Sequence, residues 1–476
     1  MNILDRFYID GQWVEPSEGV TFADIVNPAT EQVVGKLAMG TRDDVDRAVA
    51  AARRAFPAWS QSSRETRLAL LARVVECYQA RLGDIAEVVT TEMGAPLWLS
   101  QQRQAPAGLV QLQATIAALK DFDFQSTKGT TQIVREPVGV VALVTPWNWP
   151  LNQIAAKVAP ALAAGCTIVL KPSEISPLDA RIFAEILHEA GVPAGVFNML
   201  YGEGQAVGRA LSSHPHVDMV SITGSTRAGV DVAIHAAPTV KRVTQELGGK
   251  SANLILDDAD LKAAVSASVI ACMINSGQTC AAPTRMLVPR KHYDEAVKIA
   301  TAAAKSLAVG DPRHPDSKLG PMSNRAQYER VQNMIATGIE EGARLAAGGP
   351  GRPNGMERGY FAQPTVFVDA HNGMAISRQE IFGPVLVMIP YNTDAEAIDI
   401  ANDTEYGLAG YVWSANAERA RHVATQLRVG LVQINGAPMD FSAPFGGYKA
   451  SGNGREFGEY GLAEFMEYKT VVGCRG

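Results

Sequence analysis

Gly165-Cys166-Thr167-Ile168-Val169-Leu170-Lys171-Pro172-Ser173-Glu174 opens on a short apolar, β-branched run and ends in a polar, proline-containing turn. Such a run, bounded by turn residues, reads as a strand buried on both faces. A helix over Pro177 to Ala190 follows, stopped by Gly191-Val192-Pro193. The scheme then repeats through Phe197-Asn198-Met199-Leu200, a helix over Gly204 to Ser212, and Met219-Val220-Ser221-Ile222. Short buried strands alternating with helices predict a parallel, doubly wound α/β sheet. Upstream, Gln132 to Glu136 and Gly139 to Val144 read as strands around Pro137, and Arg42 to about Thr90 has helical periodicity. Downstream of Asp257 the alternation restarts with a helix over Leu261 to Asn275. Candidate strands follow at Arg285 to Val288, Val385 to Met388 and Val429 to Ile434, so a second α/β domain is expected. A smaller β element is expected to be split between about 120–138 and the tail.

The 476 residues are 47% hydrophobic and 19% charged, a globular profile with room for several domains. A formal charge of −6 argues against nucleic acid or an anionic membrane as partner. The opening residues Met1 to Arg6 carry no basic leader followed by an apolar run, so no signal peptide is expected. No uncharged apolar stretch reaches the roughly 18 residues a membrane span needs. The five cysteines lack CxxC spacing and the histidines are dispersed, which argues against a disulfide framework and a zinc site. A reduced cytoplasmic protein without structural metal is the expectation.

Chemistry concentrates in a few loops. Cys280 ends Ser276-Gly277-Gln278-Thr279-Cys280, a small, polar approach unlike the apolar neighbours of Cys272 on its helix. Most lone cysteines are buried small hydrophobes, which remains the reading for Cys166 and Cys272. Glu246 precedes Leu247-Gly248-Gly249-Lys250, where two glycines let the backbone approach a ligand. A thiolate that attacks a carbonyl and a carboxylate that activates water form a workable pair. Gly224-Ser225-Thr226-Arg227-Ala228-Gly229 follows a strand and opens a helix, which suits a pyrophosphate, although it is not GxGxxG. Glu174 could accept from two ribose hydroxyls, with Lys171 donating to one. Thr145-Pro146-Trp147-Asn148-Trp149-Pro150 forms a rigid turn whose Asn148 amide could face an oxyanion.

Taken together these segments resemble the aldehyde dehydrogenase superfamily from about Tyr8 to the tail. Glu380-Ile381-Phe382-Gly383-Pro384 and Pro444-Phe445-Gly446-Gly447-Tyr448-Lys449 complete the match in family order. The resemblance implies an NAD-binding domain over 1–119 and 139–250 and a catalytic domain over 251–450. It also implies an oligomerisation element from 120–138 and 451–476, in a homodimer or homotetramer. It assigns Cys280 as nucleophile, Glu246 as general base, and the Asn148 amide with the Cys280 N–H as the oxyanion site. Lys157 and Glu456 would support proton movement around Glu246. Glu380 would hold the nicotinamide ribose with Phe382 beside the ring. Lys171 and Glu174 would hold the adenosine ribose and Ser225 the pyrophosphate, with Trp147, Ser173, Gly224 and Leu247 along the cofactor. A carboxylate at Glu174 would repel a 2′-phosphate, so NAD is expected over NADP.

The resemblance places the substrate positions at Trp149, Asn152, Gln153, Ala156, Met273, Ile274, Thr279, Met439 and Phe441, with no arginine among them. An aliphatic or aromatic small-molecule aldehyde therefore fits better than a semialdehyde needing a carboxylate clamp. Acylating dehydrogenases and acyl-phosphate reductases are less favoured, because neither needs a base such as Glu246. A cysteine hydrolase would leave the cofactor segments unexplained, and a non-catalytic scaffold would not require Cys280 and Glu246 together.

Overall fold

The computed structural model describes residues 2–474. Met1, Arg475 and Gly476, the outer ends of the expected domain ranges, lie outside the described residues. The chain forms an eight-stranded and a seven-stranded sheet, with two three-stranded sheets besides. Val140–Val144, Thr167–Lys171, Phe197–Met199, Met219–Thr223 and Arg242–Glu246 make the parallel centre of the first large sheet. Thr167–Lys171 and Met219–Thr223 are buried along their whole length, as apolar runs covered by helices on both faces should be.

Local chemistry sets the element limits. Pro150 starts the helix Pro150–Ala164 in the first turn, where its missing N–H is harmless, and Gly165 ends it with φ 94°. All but one of that helix's residues are buried, so it passes through the core. The second large sheet is parallel from Thr365–Val368 through Val385–Tyr391, Arg285–Pro289, Ala252–Ile255 and Ala409–Trp413 to Leu431–Ile434. Arg344–Ala347 adds an antiparallel edge.

Three features differ from the sequence reading. Strands Asn2–Leu4, Thr21–Asn27 and Gln32–Met39 form their own sheet, while Phe7–Ile9 and Gln12–Val14 extend the first large sheet antiparallel. Phe7–Ile9 is buried but only three residues long, and Gln12–Val14, Thr21–Asn27 and Gln32–Met39 all carry exposed positions, so none reads as the longer apolar run of a buried strand. The expected helix over Gly204 to Ser212 is a π turn, Gly204–Gly208, followed by a short α-helix, Arg209–Ser213. The expected split β element does form: Gln125–Lys128, Thr131–Pro137 and Met466–Val472 pair antiparallel. Yet Gly452–Asn453 pairs with Gln245 and Glu246 at the edge of the eight-stranded sheet. The chain from 451 therefore returns to the first sheet before it enters the small one.

Candidate active site

The strands of the first sheet deliver their ends to one edge, where open α/β sheets bind ligands. Lys171 ends one strand, Gly224 follows another, and Glu246 ends a third. The loop after Val144 carries Trp147 and Asn148, and the second sheet supplies Cys280 and Glu380.

Cys280 is held by a strained turn. Asn275 and Ser276, neither of them glycine, adopt left-handed φ of 57° and 55°, and Gly277 continues at 72°. A Cβ on Gly277 would lie 2.1 Å from the Gly383 carbonyl oxygen, so only glycine fits between the turn and the Gly383-Pro384 segment. Residues from both large sheets hold the strain in place. Asn275 Nδ2 donates to the Asn148 carbonyl at 2.9 Å, and Gln104 Nε2 donates to Asn275 Oδ1 at 3.2 Å. Ser276 Oγ donates to the Gly320 carbonyl at 2.8 Å, and Gln278 Oε1 accepts from Ser323 N–H at 2.9 Å.

Asn148 is buried, and its Nδ2 donates to the Gln278 carbonyl at 3.1 Å. That bond uses one amide hydrogen, which leaves the second for a ligand. Among the described residues the Cys280 N–H donates to no backbone carbonyl. The Cys280 loop therefore carries or borders two unspent donors, the kind of groups an oxyanion requires. Asn148→Ala is expected to lower kcat/KM for an aldehyde by about 100- to 1000-fold with little change in cofactor affinity. Steady-state kinetics checks this, and a drop of only a few-fold would remove Asn148 from the oxyanion role.

Burial, together with the nearby carboxylates of Glu246 and Glu380, pushes the Cys280 thiol up to about 12. The resting thiol is neutral and must lose its proton to react. Glu246 is buried, and neither carboxylate oxygen has a hydrogen-bond partner among the described residues. Burial first, then the charge of Glu456, holds its carboxyl well above the usual range, while Lys157 and Arg455 pull it back. Lys157 is buried and donates from Nζ to Ser221 Oγ at 3.0 Å and to Glu456 Oε1 at 2.5 Å. Beside that pair lies a void of about 10 Å³, lined in part by Ala156 and Arg455. It has room for about one water.

The Gly248-Gly249 pair has a different use from the expected approach to a ligand. A Cβ on Gly248 would meet Glu380 Oε2 at 2.2 Å, and one on Gly249 would meet the Cys280 carbonyl oxygen at 2.6 Å. The glycines let Glu380 and the nucleophile's backbone close onto the loop that carries Glu246. Glu380 Oε1 accepts from Gly249 N–H at 3.0 Å, and burial raises its carboxyl to about 7. Its Oε2 has no protein donor among the described residues and is free to accept a sugar hydroxyl. Phe382, at φ 60°, meets the Trp147 ring edge-on with centroids 5.5 Å apart.

At the other end of the edge, Lys171 Nζ donates to Glu174 Oε2 at 3.2 Å. Ser173 Oγ accepts from the Ile175 N–H, and Ser225 Oγ caps the helix Thr226–Ala236 by accepting from Ala228 N–H. The Gly224 N–H donates to the Glu246 carbonyl, and buried Leu247 packs against Gly229. A free carboxylate oxygen, a helix N-terminus and a lysine–carboxylate pair along one edge suit a dinucleotide.

A cavity of about 400 Å³ reaches Cys280. Trp149, Asn152, Gln153, Thr279, Met439 and Phe441 line it, as the sequence reading expects. Trp149 Nε1 donates to Thr279 Oγ1 at 3.0 Å, which ties one wall to the nucleophile's loop. Ile274 does not line the cavity; it packs against the core of the first sheet. Met273 is buried in the core of the second sheet, because the helix Leu261–Met273 ends before it reaches the pocket. Ala156 packs with Ala281 and Phe445 behind Cys280 and borders the small void near Lys157. The expectation of a wall without arginine is corrected: Arg103, with Gln102, lines the cavity from the π-helical turn Ser100–Gln104. Phe445 and Phe457, stacked with centroids 5.1 Å apart, were also missed. A five-residue polar run, Ser100-Gln101-Gln102-Arg103-Gln104, beside an apolar helix was the available signal.

Comparison with known proteins gives one answer. The sequence model described as "Aldehyde dehydrogenase family" matches residues 13–471. A 3-succinoylsemialdehyde-pyridine dehydrogenase of a Pseudomonas species is 58% identical over 472 residues, covering 99% of each chain. A Cys-to-Ala mutant of aldehyde dehydrogenase C from Pseudomonas syringae, solved with NAD+ and octanal, is 51% identical with a TM-score of 0.98. That match covers 99% of this chain and 97% of the other. A Mycobacterium tuberculosis aldehyde dehydrogenase solved with NAD+ is 42% identical with a TM-score of 0.96, covering 99% and 98%. Matched over nearly its whole length in sequence and fold, the chain belongs to the aldehyde dehydrogenase family and is an NAD-dependent aldehyde dehydrogenase.

Proposed function

We propose that the protein oxidises aliphatic or aromatic aldehydes to carboxylic acids by covalent catalysis at Cys280. The observation that carries this reading is Cys280 on the wall of the apolar cavity, with the Asn148 amide bonded to the Gln278 carbonyl of its loop and the unpartnered Glu246 carboxylate near enough to raise its thiol. The Cys280 thiol passes its proton to solvent water as its sulfur bonds to the aldehyde carbon. The carbonyl oxygen becomes an oxyanion held by Asn148 Nδ2 and the Cys280 N–H. NAD, when bound, is the hydride acceptor. Loss of hydride from carbon leaves an acyl thioester on Cys280. Glu246 then takes a proton from water, the water oxygen bonds to the acyl carbon, and the C–S bond breaks. Lys157 and Glu456 give that proton a route away from Glu246. Glu380 Oε2 would take the nicotinamide ribose hydroxyls, with Trp147 and Phe382 framing the ring.

Lys171 and Glu174 are read as holding the second ribose, Ser225 and Gly224 the pyrophosphate, and Ser173 and Leu247 the walls between. Wild type is expected to prefer NAD to NADP. Glu174→Ala is expected to lower that preference by about tenfold, because a partly solvated carboxylate repels a phosphate through screened charge. The ratio of kcat/KM values for the two cofactors checks it, and equal ratios in wild type would overturn it.

Octanal is bound in one relative, and another is named for a semialdehyde on a pyridine ring. Both kinds of molecule suit a largely apolar cavity of about 400 Å³. NADH formation across short, long-chain, aromatic and semialdehyde substrates tests the reading. No turnover with any aldehyde would move it toward the acylating alternative, in which the thioester passes to another thiol. The chain is further read as a cytoplasmic homodimer or homotetramer. An unpaired edge strand, Met466–Val472, and exposed Val230 and Ile234 on the helix Thr226–Ala236 support association. Light scattering is expected to give two or four times 50.7 kDa, and a monomer mass would refute it.

A further inference from the structure

The cavity wall is largely apolar, and several of its polar side chains keep unspent groups. Asn152 Oδ1 accepts from Gln111 Nε2 at 3.0 Å, which fixes the amide's orientation and commits its oxygen. The Nδ2 of Asn152 has no protein acceptor among the described residues. Gln153, the next residue on the same helix, is buried, and its Oε1 accepts no hydrogen bond among them. Arg103 reaches the cavity from the π turn Ser100–Gln104 and is exposed, so it stands at the solvent end. No ion pair or hydrogen bond holds its guanidinium among the described residues. The apolar part of the wall includes Met439, Phe441 and Phe457.

A plain alkyl chain in this cavity would strip water from the Asn152 amide N–H and return nothing to it. An aldehyde with a second oxygen or ring nitrogen would accept from Asn152 Nδ2 while its carbon skeleton covers the aromatic wall. We propose that the pocket selects aldehydes bearing a second hydrogen-bond acceptor, a ketone or heteroaromatic nitrogen, which Asn152 Nδ2 and Arg103 read. The proposal rests on the covalent aldehyde oxidation described above. Arg103 here recognises neutral acceptors through its fixed fork of donors and holds no nucleotide phosphate.

The test compares 4-oxo-4-phenylbutanal with 4-phenylbutanal, which share a skeleton and differ by one ketone oxygen, with octanal as reference. Wild type is expected to favour the ketone by about tenfold or more in kcat/KM, because a site built for a polar contact discriminates against the analogue lacking it. Asn152→Leu and Arg103→Met are each expected to lower that ratio severalfold. Each ratio is internal to one protein, so partial loss of folded enzyme does not move it. If octanal is oxidised but wild type turns over the ketone and its analogue equally, the proposal is wrong. A wild-type preference that both variants leave intact would also overturn it, since other groups would then be reading the ketone. Failure with all three aldehydes would instead strike the catalytic reading on which the proposal depends, and the selection with it.

Discussion

Cys280→Ala is expected to lower kcat for aldehyde oxidation by at least about 10⁴-fold, as removal of a covalent nucleophile does elsewhere. Cofactor affinity is expected to persist, because the Lys171, Glu174 and Glu380 groups lie on other segments. The size of the effect follows from the surroundings of the sulfur. Its turn is locked by bonds from Asn148, Gln104, Gly320 and Ser323, so no neighbouring side chain can swing in as a substitute. Cys272→Ala is the control: that thiol is buried on the helix Leu261–Met273, and its loss should affect stability far more than chemistry. NADH formation and a binding titration measured on both variants decide the matter. Substantial turnover by Cys280→Ala would end the covalent mechanism.

Glu246→Gln is expected to separate the two halves of the reaction. Acylation and hydride loss draw on Cys280 and Asn148, so a burst of about one NADH per active site should survive. Release of the acid needs a base, and steady-state kcat should fall by about 100- to 10,000-fold. Stopped-flow absorbance reads burst and steady state in one trace. The wild-type pH profile carries the same information. Burial and Glu456 hold the Glu246 carboxyl well above the ordinary carboxylate range. Only the ionised form can take a proton from water, so deacylation should rise with pH through that raised value and fall below it. The variant should lack this limb. If it loses the burst as well, Glu246 acts earlier, as acceptor of the Cys280 proton.

Much of the fold and the chemistry was legible because it is written in short, contiguous segments. Thr167 to Glu174 announces both a buried strand and the turn that carries Lys171 and Glu174. The cysteine loop was readable because Ser276-Gly277-Gln278-Thr279 is too polar and flexible for a core. What escaped depends on distant partners. Nothing local to Gly248-Gly249 says that Glu380 and the Cys280 carbonyl occupy the space a side chain would fill. Ile274 and Met273 looked like pocket residues by spacing, but the left-handed turn at Asn275 and Ser276 redirects the chain after them. Arg103 was missed because a π turn adds residues to a helical circuit and re-aims them, which helical periodicity cannot reveal.

The turn beneath Cys280 bears on when the enzyme becomes reactive during synthesis. Its two groups of clamps are far apart in sequence: Gln104 and Asn148 emerge well before the cysteine, whereas Gly320, Ser323 and the Gly383-Pro384 segment follow it. A nascent chain that has just released residue 280 from the ribosome holds a cysteine but no shaped nucleophile. Left-handed backbone at Asn275 and Ser276 is unfavourable on its own, and the later segments are what hold it. A truncated product ending before residue 383 would therefore carry an ordinary thiol in an unshaped loop.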